Sequence, residues 1–280
     1  MSQTQEIPAI ELNDGTTIPQ LGFGVFQVPP DETEKAVAEA LEAGYRHIDT
    51  AAAYRNEAGV GRAIAASGIP RDELFITTKL WNDEQGHDQA IQAFAASAER
   101  LALDVLDLYL IHWPVPMADK FVETFQAFTE LQADGRVRSI GVSNFHEPHL
   151  RRVIDEVGVT PSVNQIELHP YLQQRHLRDV HAELGIVTEA WSPIAQGAVL
   201  DDPVITRIAE AHGRTPAQVA LRWHVQLGNV VIPKSVTPAR IRENMAIFDF
   251  ELSAEDLDAI AQLDRGQRTG PDPDEFAVGA

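Results

Sequence analysis

The hydrophobic and polar positions of the chain alternate between two signals. Short apolar runs of strand length give way to longer segments whose apolar residues recur at helical spacing, and the cycle repeats. Helices are predicted at residues 32–43, 57–67, 88–101, 121–133, 147–157, 173–184, 203–211 with 216–226, and 239–248. The strand runs between them end near Val25, Thr50, Lys79, His112, Ser143, Glu167, Trp191 and Ser235, which makes eight. Eight β/α units in a chain of 280 residues predict an α/β protein built as a closed (β/α)8 TIM barrel, one domain over residues 1–280. Ahead of the first unit, Ile10-Glu11-Leu12 and Thr17-Ile18 flank the turn residues Asn13-Asp14-Gly15, so a β-hairpin is predicted over about 9–19. Behind the last, a C-terminal tail over about 250–280 combines a helix at 254–263 with a Pro/Gly/Asp-rich loop at 266–274. The alternative, an open doubly wound sheet, calls for a glycine fingerprint after the first strand. Val28-Pro29-Pro30-Asp31 stands there instead, and Gly59-Val60-Gly61 falls inside a helical pattern, where it suits helix packing.

Charge narrows the class of partner. Lys and Arg number 22 against 42 Asp and Glu, and the net charge of −20 repels nucleic acid and anionic membranes. A phosphate site therefore has to be built locally against that field. With no cysteine, disulfide and thiolate chemistry are excluded. The first six residues, Met1-Ser2-Gln3-Thr4-Gln5-Glu6, carry neither a basic region nor an apolar core, and no apolar run approaches the ~18 residues of a membrane span. A cytoplasmic protein is expected.

In parallel α/β proteins ligands bind at the C-terminal ends of strands. Four chemistry-bearing residues fall there or just beyond: Asp49, Tyr54, Lys79 and His112. Singly, each has a plain structural role open to it, as turn cap, core aromatic or core imidazole. Lysine in an apolar strand is the hardest to dismiss, because it is rarely buried without a partner. Together they fit one task. A tyrosine with a pKa near 10 is a poor acid at neutral pH, but a neighbouring ammonium stabilises the phenolate and a carboxylate keeps the ammonium charged. Lys79 and Asp49 are therefore expected to bring the Tyr54 phenol down, an effect of roughly 3–4 kcal/mol. His112 is placed to donate to a substrate carbonyl oxygen. The group can protonate an oxygen but holds no nucleophile, so a hydride has to come from a cofactor.

Gly44-Tyr45-Arg46-His47-Ile48-Asp49 with Glu57 and Gly61, and Ile232-Pro233-Lys234-Ser235, resemble signature segments of the aldo-keto reductases. The similarity runs from about residue 7 to 275. Leu12-Asn13-Asp14-Gly15, Thr78-Lys79-Leu80-Trp81-Asn82 and Val163-Asn164-Gln165-Ile166-Glu167-Leu168-His169-Pro170 resemble the bacterial 2,5-diketo-D-gluconate reductases. The resemblance implies a barrel closed at its base by a hairpin, a catalytic tetrad of Asp49, Tyr54, Lys79 and His112 with Tyr54 as general acid, and NADPH as hydride donor. It implies that Ser143, Asn144 and Gln165 hold the nicotinamide carboxamide and that Trp191, where most members carry tyrosine, stacks on the ring. Ser192 to Gly197, including Gln196, match the loop over the pyrophosphate. Lys234, Ser235, Arg240 and Asn244 match residues that grip the 2′-phosphate, although Thr237 stands where some relatives have another basic residue. Phe26, Trp81 and Trp113 are expected to line an apolar substrate pocket suited to aldehydes, α-dicarbonyls and keto-sugars. The segment Arg268-Thr269-Gly270-Pro271-Asp272-Pro273 resembles the loop that covers the pocket in relatives. A monomer is expected, with a small carbonyl compound as its partner.

Three other functions compete. A metal-dependent barrel hydrolase would use some of the ten histidines, but there is no His-x-His after the first strand, and His146 and His149 sit at a helix start; no metal is expected. A glycosidase would pair Glu167 with Glu189 and leave Lys79 without a role. A nicotinamide-binding sensor would use the same residues with little turnover.

Overall fold

The computed structural model describes residues 7–278. Met1–Glu6, the segment read for targeting signals, lies outside the described residues, as do the last two positions of the tail. Strands β1 (Ala9–Glu11) and β2 (Thr17–Pro19) form the antiparallel hairpin. The main sheet is parallel throughout and runs in chain order: β3 (Phe23–Gly24), β4 (His47–Asp49), β5 (Phe75–Leu80), β6 (Leu106–Ile111), β7 (Val137–Ser143), β8 (Val163–Glu167), β9 (Val187–Trp191) and β10 (Val230–Val231). Its two edges meet. Leu21 bridges Val231, the Gly22 amide donates to the Val231 carbonyl at 2.9 Å, and the Val231 amide donates to the Gln20 carbonyl at 3.0 Å. This closes the eight-stranded barrel.

The helices are α1 (Pro30–Ala43), α2 (Glu57–Ser67), α3 (His87–Leu101), α4 (Phe121–Ala133), α5 (Glu147–Val157), α6 (Arg175–Leu184), α7 (Pro203–His212), α8 (Pro216–Gln226), α9 (Pro238–Met245) and α10 (Ala254–Ala261). Local chemistry sets their ends. Helix α1 begins on Pro30 with Asp31 and Glu32 in its first turn, and stops at Gly44, whose φ of 112° only glycine adopts easily. Helix α8 opens with a Thr215–Gln218 capping box and α10 with a Ser253–Asp256 one. None of the helices among the described residues is long and apolar enough to cross a membrane.

Two of the three buried apolar clusters among the described residues define the architecture. The larger fills the space between strands and helices; a smaller one, inside the barrel, joins Leu12 and Ile18 of the hairpin to Phe75, Leu108, Leu110, Val163 and Val230. Phe75, Val163 and Val230 are the first residues of their strands, so the hairpin plugs the base. Hydrogen bonds pin the plug: Asn13 donates to the Pro161 carbonyl at 3.1 Å, and the Ser162 hydroxyl donates to Asn13 at 2.8 Å. With the base sealed by apolar packing, polar side chains collect at the opposite end.

The eighth barrel strand is shorter than the sequence pattern suggests, ending at Val231 rather than near Ser235. Pro233 has no amide hydrogen to continue the ladder. The chain still follows the barrel wall, because the Pro233 carbonyl accepts from the Gly24 amide at 3.2 Å.

Candidate active site

Asp49 ends β4 and Lys79 is the penultimate residue of β5, two neighbours in the sheet. Both are buried, and the Lys79 ammonium donates to the Asp49 carboxylate at 2.6 Å and to the Thr50 carbonyl at 2.8 Å. Burial alone would push the lysine pKa down; the Asp49 charge reverses this and holds Lys79 protonated. Two of its three N–H groups are thus spent on fixed oxygens. Its nitrogen lies 5.2 Å from the centre of the Tyr54 ring. Tyr54 sits on a 3₁₀ turn, Ala52–Tyr54, directly after β4, half-buried with its open side lining the cavity. His112 follows β6, and its ring meets Tyr54 edge-on at 5.6 Å. Burial and the nearby Lys79 charge drive the His112 pKa well down, so the imidazole is neutral and carries a single N–H.

The expected lowering of the Tyr54 phenol does not occur. Desolvation at the cavity floor pushes the hydroxyl up to about 12; Lys79 pulls it down, while Asp49 and Glu189 add negative charge that raises it. The ammonium therefore offsets the cost of ionising the phenol without lowering it below an ordinary tyrosine. Tyr54 rests protonated, which is the form an acid needs.

Beside this group lies a second set of buried polar residues that the sequence pattern does not bring together. The Gln165 amide donates to Asp49 at 2.8 Å and to Glu189 at 2.9 Å, joining the two carboxyl groups through one nitrogen. Burial raises the Glu189 pKa to about 8, with the Asp49 charge adding to the effect. His47 stands 3.6 Å from Glu189 and is kept neutral by burial. The local signal for this set is a buried glutamate in the middle of β9. The competing role for that glutamate, as a glycosidase carboxylate, has no opening while it is buried against Gln165.

Ser143 ends β7, and its register partner Gln165 lies midway along β8. The Ser143 hydroxyl donates to the Gln165 carbonyl at 2.8 Å. Asn144, left-handed at φ 62°, donates to the His112 carbonyl at 2.9 Å and accepts from the Trp191 indole at 2.8 Å. These bonds fix the amide, the hydroxyl and the Trp191 ring on one wall. After β9 the backbone takes left-handed φ at Ser192, Ala195, Gln196 and Gly197. Such turns face successive amide groups to one side, a form that suits anions. Beyond them, Lys234 and Arg240 line the cavity and form no ion pair among the described residues, unusual for cations on so acidic a chain. Ser235 and Asn244 lie outside the cavity wall, Ser235 accepting from the Thr237 amide.

The cavity has a volume of about 1310 Å³ and spans this whole length, larger than the few hundred Å³ of a drug-sized site. Its other end is aromatic. Phe26 packs on Tyr54 at 5.1 Å, Trp81 on His112 at 5.1 Å, and Trp113 faces Trp191 at 6.5 Å. The tail closes that end, with Phe276 against Trp113 at 4.4 Å. Glu167, the second carboxylate of the glycosidase pairing, is occupied by tail residues Thr269 and Gly270 and by His169. His146 and His149 both approach Asp274 of the tail.

A (β/α)8 barrel with acid, lysine, phenol and imidazole at its strand ends, and an elongated cavity bearing free cations, defines a barrel oxidoreductase. Sequence comparison makes the class specific: the model of the Aldo/keto reductase family matches residues 20–265, and the chain belongs to that family. It is 64% identical over 269 residues to an aldo-keto reductase of Mycolicibacterium smegmatis, covering 96% of this chain and 98% of that one. It is 54% identical to methylglyoxal reductase DkgA of Escherichia coli K12, covering 95% and 97%. Among solved structures, a variant of Gox0644 in complex with NADPH superposes with a TM-score of 0.95 at 52% identity, covering 98% of this chain and all of that one.

Proposed function

We propose that the protein reduces small aldehydes and ketones to alcohols with NADPH, among them α-dicarbonyls such as methylglyoxal and keto-sugars such as 2,5-diketo-D-gluconate. The observation that carries this is the buried Asp49–Lys79 pair at 2.6 Å beneath a protonated Tyr54 at the cavity floor. The relatives named methylglyoxal reductase support the substrate class. The residues present fit a phosphorylated dinucleotide. Lys234 and Arg240 are cations without acidic partners among the described residues, and Arg240 lies in the first turn of α9, where a phosphate is also favoured by the helix dipole. Ser192, Gln196 and Gly197 offer turn amides to the pyrophosphate, and Ser143, Asn144, Gln165 and Trp191 form the wall for the nicotinamide; Ser235 and Asn244 would act from just outside.

When bound, the cofactor supplies the hydride to the carbonyl carbon. The chain's own residues supply the rest. Neutral His112 donates a hydrogen bond to the carbonyl oxygen and orients it. Tyr54 delivers its proton to that oxygen as negative charge develops, and Lys79 stabilises the phenolate left behind. Asp49 keeps Lys79 charged in a site where an unpaired ammonium would lose its proton. A phenol pKa of about 12 keeps Tyr54 protonated at neutral pH, the form that can deliver a proton. Phe26, Trp81 and Trp113 supply the apolar contact surface for the substrate.

The test is NADPH consumption, followed by its absorbance, with a panel of α-dicarbonyls, simple aldehydes and 2,5-diketo-gluconate. Turnover of the α-dicarbonyls is expected. NADPH binding with no turnover of any carbonyl on the panel would contradict the proposal and favour a sensor.

A further inference from the structure

The Glu167 carboxylate ends β8 almost wholly buried, and both its oxygens are bound to residues far along the chain. One oxygen accepts from the Thr269 amide, from the Thr269 hydroxyl at 2.7 Å and from His169 at 2.9 Å. The other accepts from the Gly270 amide at 3.0 Å. Burial by itself would raise its pKa, but these hydrogen bonds together hold it below the ordinary glutamate value, so it is ionised and acceptor-only. Two successive backbone amides converging on one buried carboxylate fix the course of the tail at that point.

The fastened segment runs directly into the wall of the reaction cavity. Gly270 lies so close to Trp191 that a Cβ there would stand 2.5 Å from the indole, and Trp191 is the register partner of Glu167. Thr269, Gly270, Pro271 and Phe276 all line the cavity, and Phe276 reaches Trp113. Other contacts hold the tail on either side: Gln267 donates its amide to the Tyr171 carbonyl at 3.0 Å, Arg268 meets His146 at 3.1 Å, exposed Asp274 meets His146 at 2.9 Å, and buried Asn82 donates to the Val278 carbonyl at 2.8 Å. Glu167 is the buried carboxylate among these attachments, and it holds the tail beside Trp191.

We propose that Glu167 is a positioning residue that fastens the C-terminal segment against Trp191 and so sets which carbonyl compounds the site accepts. It does not line the reaction cavity; it acts through the tail it holds. The role in substrate choice rests on the reductase function proposed above, whereas the fastening does not. In Glu167→Gln one oxygen becomes an NH₂ group facing amide donors, and the clamp fails at one or both tail residues.

The experiment compares wild type, Glu167→Gln and Gly270→Ala by amide hydrogen exchange and by kinetics with methylglyoxal and a bulky aromatic aldehyde. Gly270→Ala leaves the barrel untouched and forces the tail off Trp191 sterically, so it serves if Glu167→Gln does not fold. Exchange across residues 266–278 is expected to quicken by roughly ten-fold or more while the barrel strands keep their protection. The kcat/KM ratio of methylglyoxal to the bulky aldehyde is expected to fall by about ten-fold, mainly through KM. Unchanged exchange in folded Glu167→Gln would overturn the fastening. Faster exchange with an unchanged substrate ratio would overturn the role in selectivity. If wild type reduces no carbonyl yet the exchange change appears, the reductase function fails and the fastening stands.

Discussion

Among single residues, Glu189 has the most informative titration. Its carboxyl is neutral in the fold up to about pH 8, whereas in the unfolded chain it ionises near its ordinary value of 4.5. Between those values the folded state holds the extra proton, so the contribution of Glu189 to stability falls as pH rises and levels off above about 8. His47, His181 and His224 act oppositely: burial lowers each to about 3, so they cost stability only as pH falls below their ordinary 6.5. From pH 6.5 to 8.5 the Glu189 effect stands clear of theirs. Glu189→Gln keeps an oxygen for the Gln165 amide and removes the titration. Melting temperature should therefore decline less over this window in the variant, leaving it more stable than wild type at pH 8.5. Parallel curves for the two proteins would show that Glu189 is already ionised in the fold.

Among elements, the placement of α2 shows how sequence and packing share the work. The Gly59-Val60-Gly61 segment lies in this helix, and a Cβ on Gly61 would stand 2.4 Å from the Leu101 carbonyl at the end of α3. The obstacle is backbone, which cannot swing aside. Gly61→Ala should destabilise by about 1–3 kcal/mol despite alanine's better helix propensity, measurable by urea unfolding. A neutral or stabilising result would mean that the two helices separate at no cost. The helices were legible because apolar spacing, proline starts and glycine stops agree along the sequence; α2, α4, α5 and α8 have the predicted bounds. The 3₁₀ turn that presents Tyr54 was not legible, since Ala52-Ala53-Tyr54 carries no turn signal of its own. The rise of the Tyr54 pKa was also hidden, because it depends first on how deeply the barrel buries the hydroxyl and then on the carboxyl groups gathered around the ammonium. Likewise, nothing in the local sequence of Glu167 announces that its hydrogen-bond donors lie about a hundred residues away.

At the scale of the whole molecule, the barrel separates its tasks by position. The hairpin and apolar residues seal the base, the strand ends hold the proton chemistry, and Lys234 and Arg240, unpaired among the described residues, stand at the far end of the cavity against a net charge of −20. Local attraction has to overcome that field, so removing one cation should matter to a phosphate ligand. Lys234→Ala is expected to weaken NADPH by about ten-fold or more and NADH little, as read by fluorescence titration. Equal losses for both cofactors would remove Lys234 from the 2′-phosphate. The most direct test of the proton chemistry at the barrel mouth is a comparison of wild type with Tyr54→Phe, measuring methylglyoxal reduction and NADPH affinity on the same preparations. Loss of turnover by about 10²–10⁴ with NADPH affinity retained is the predicted result. Turnover that survives the loss of the hydroxyl, or affinity that falls in step with turnover, would contradict the role of Tyr54 as the acid.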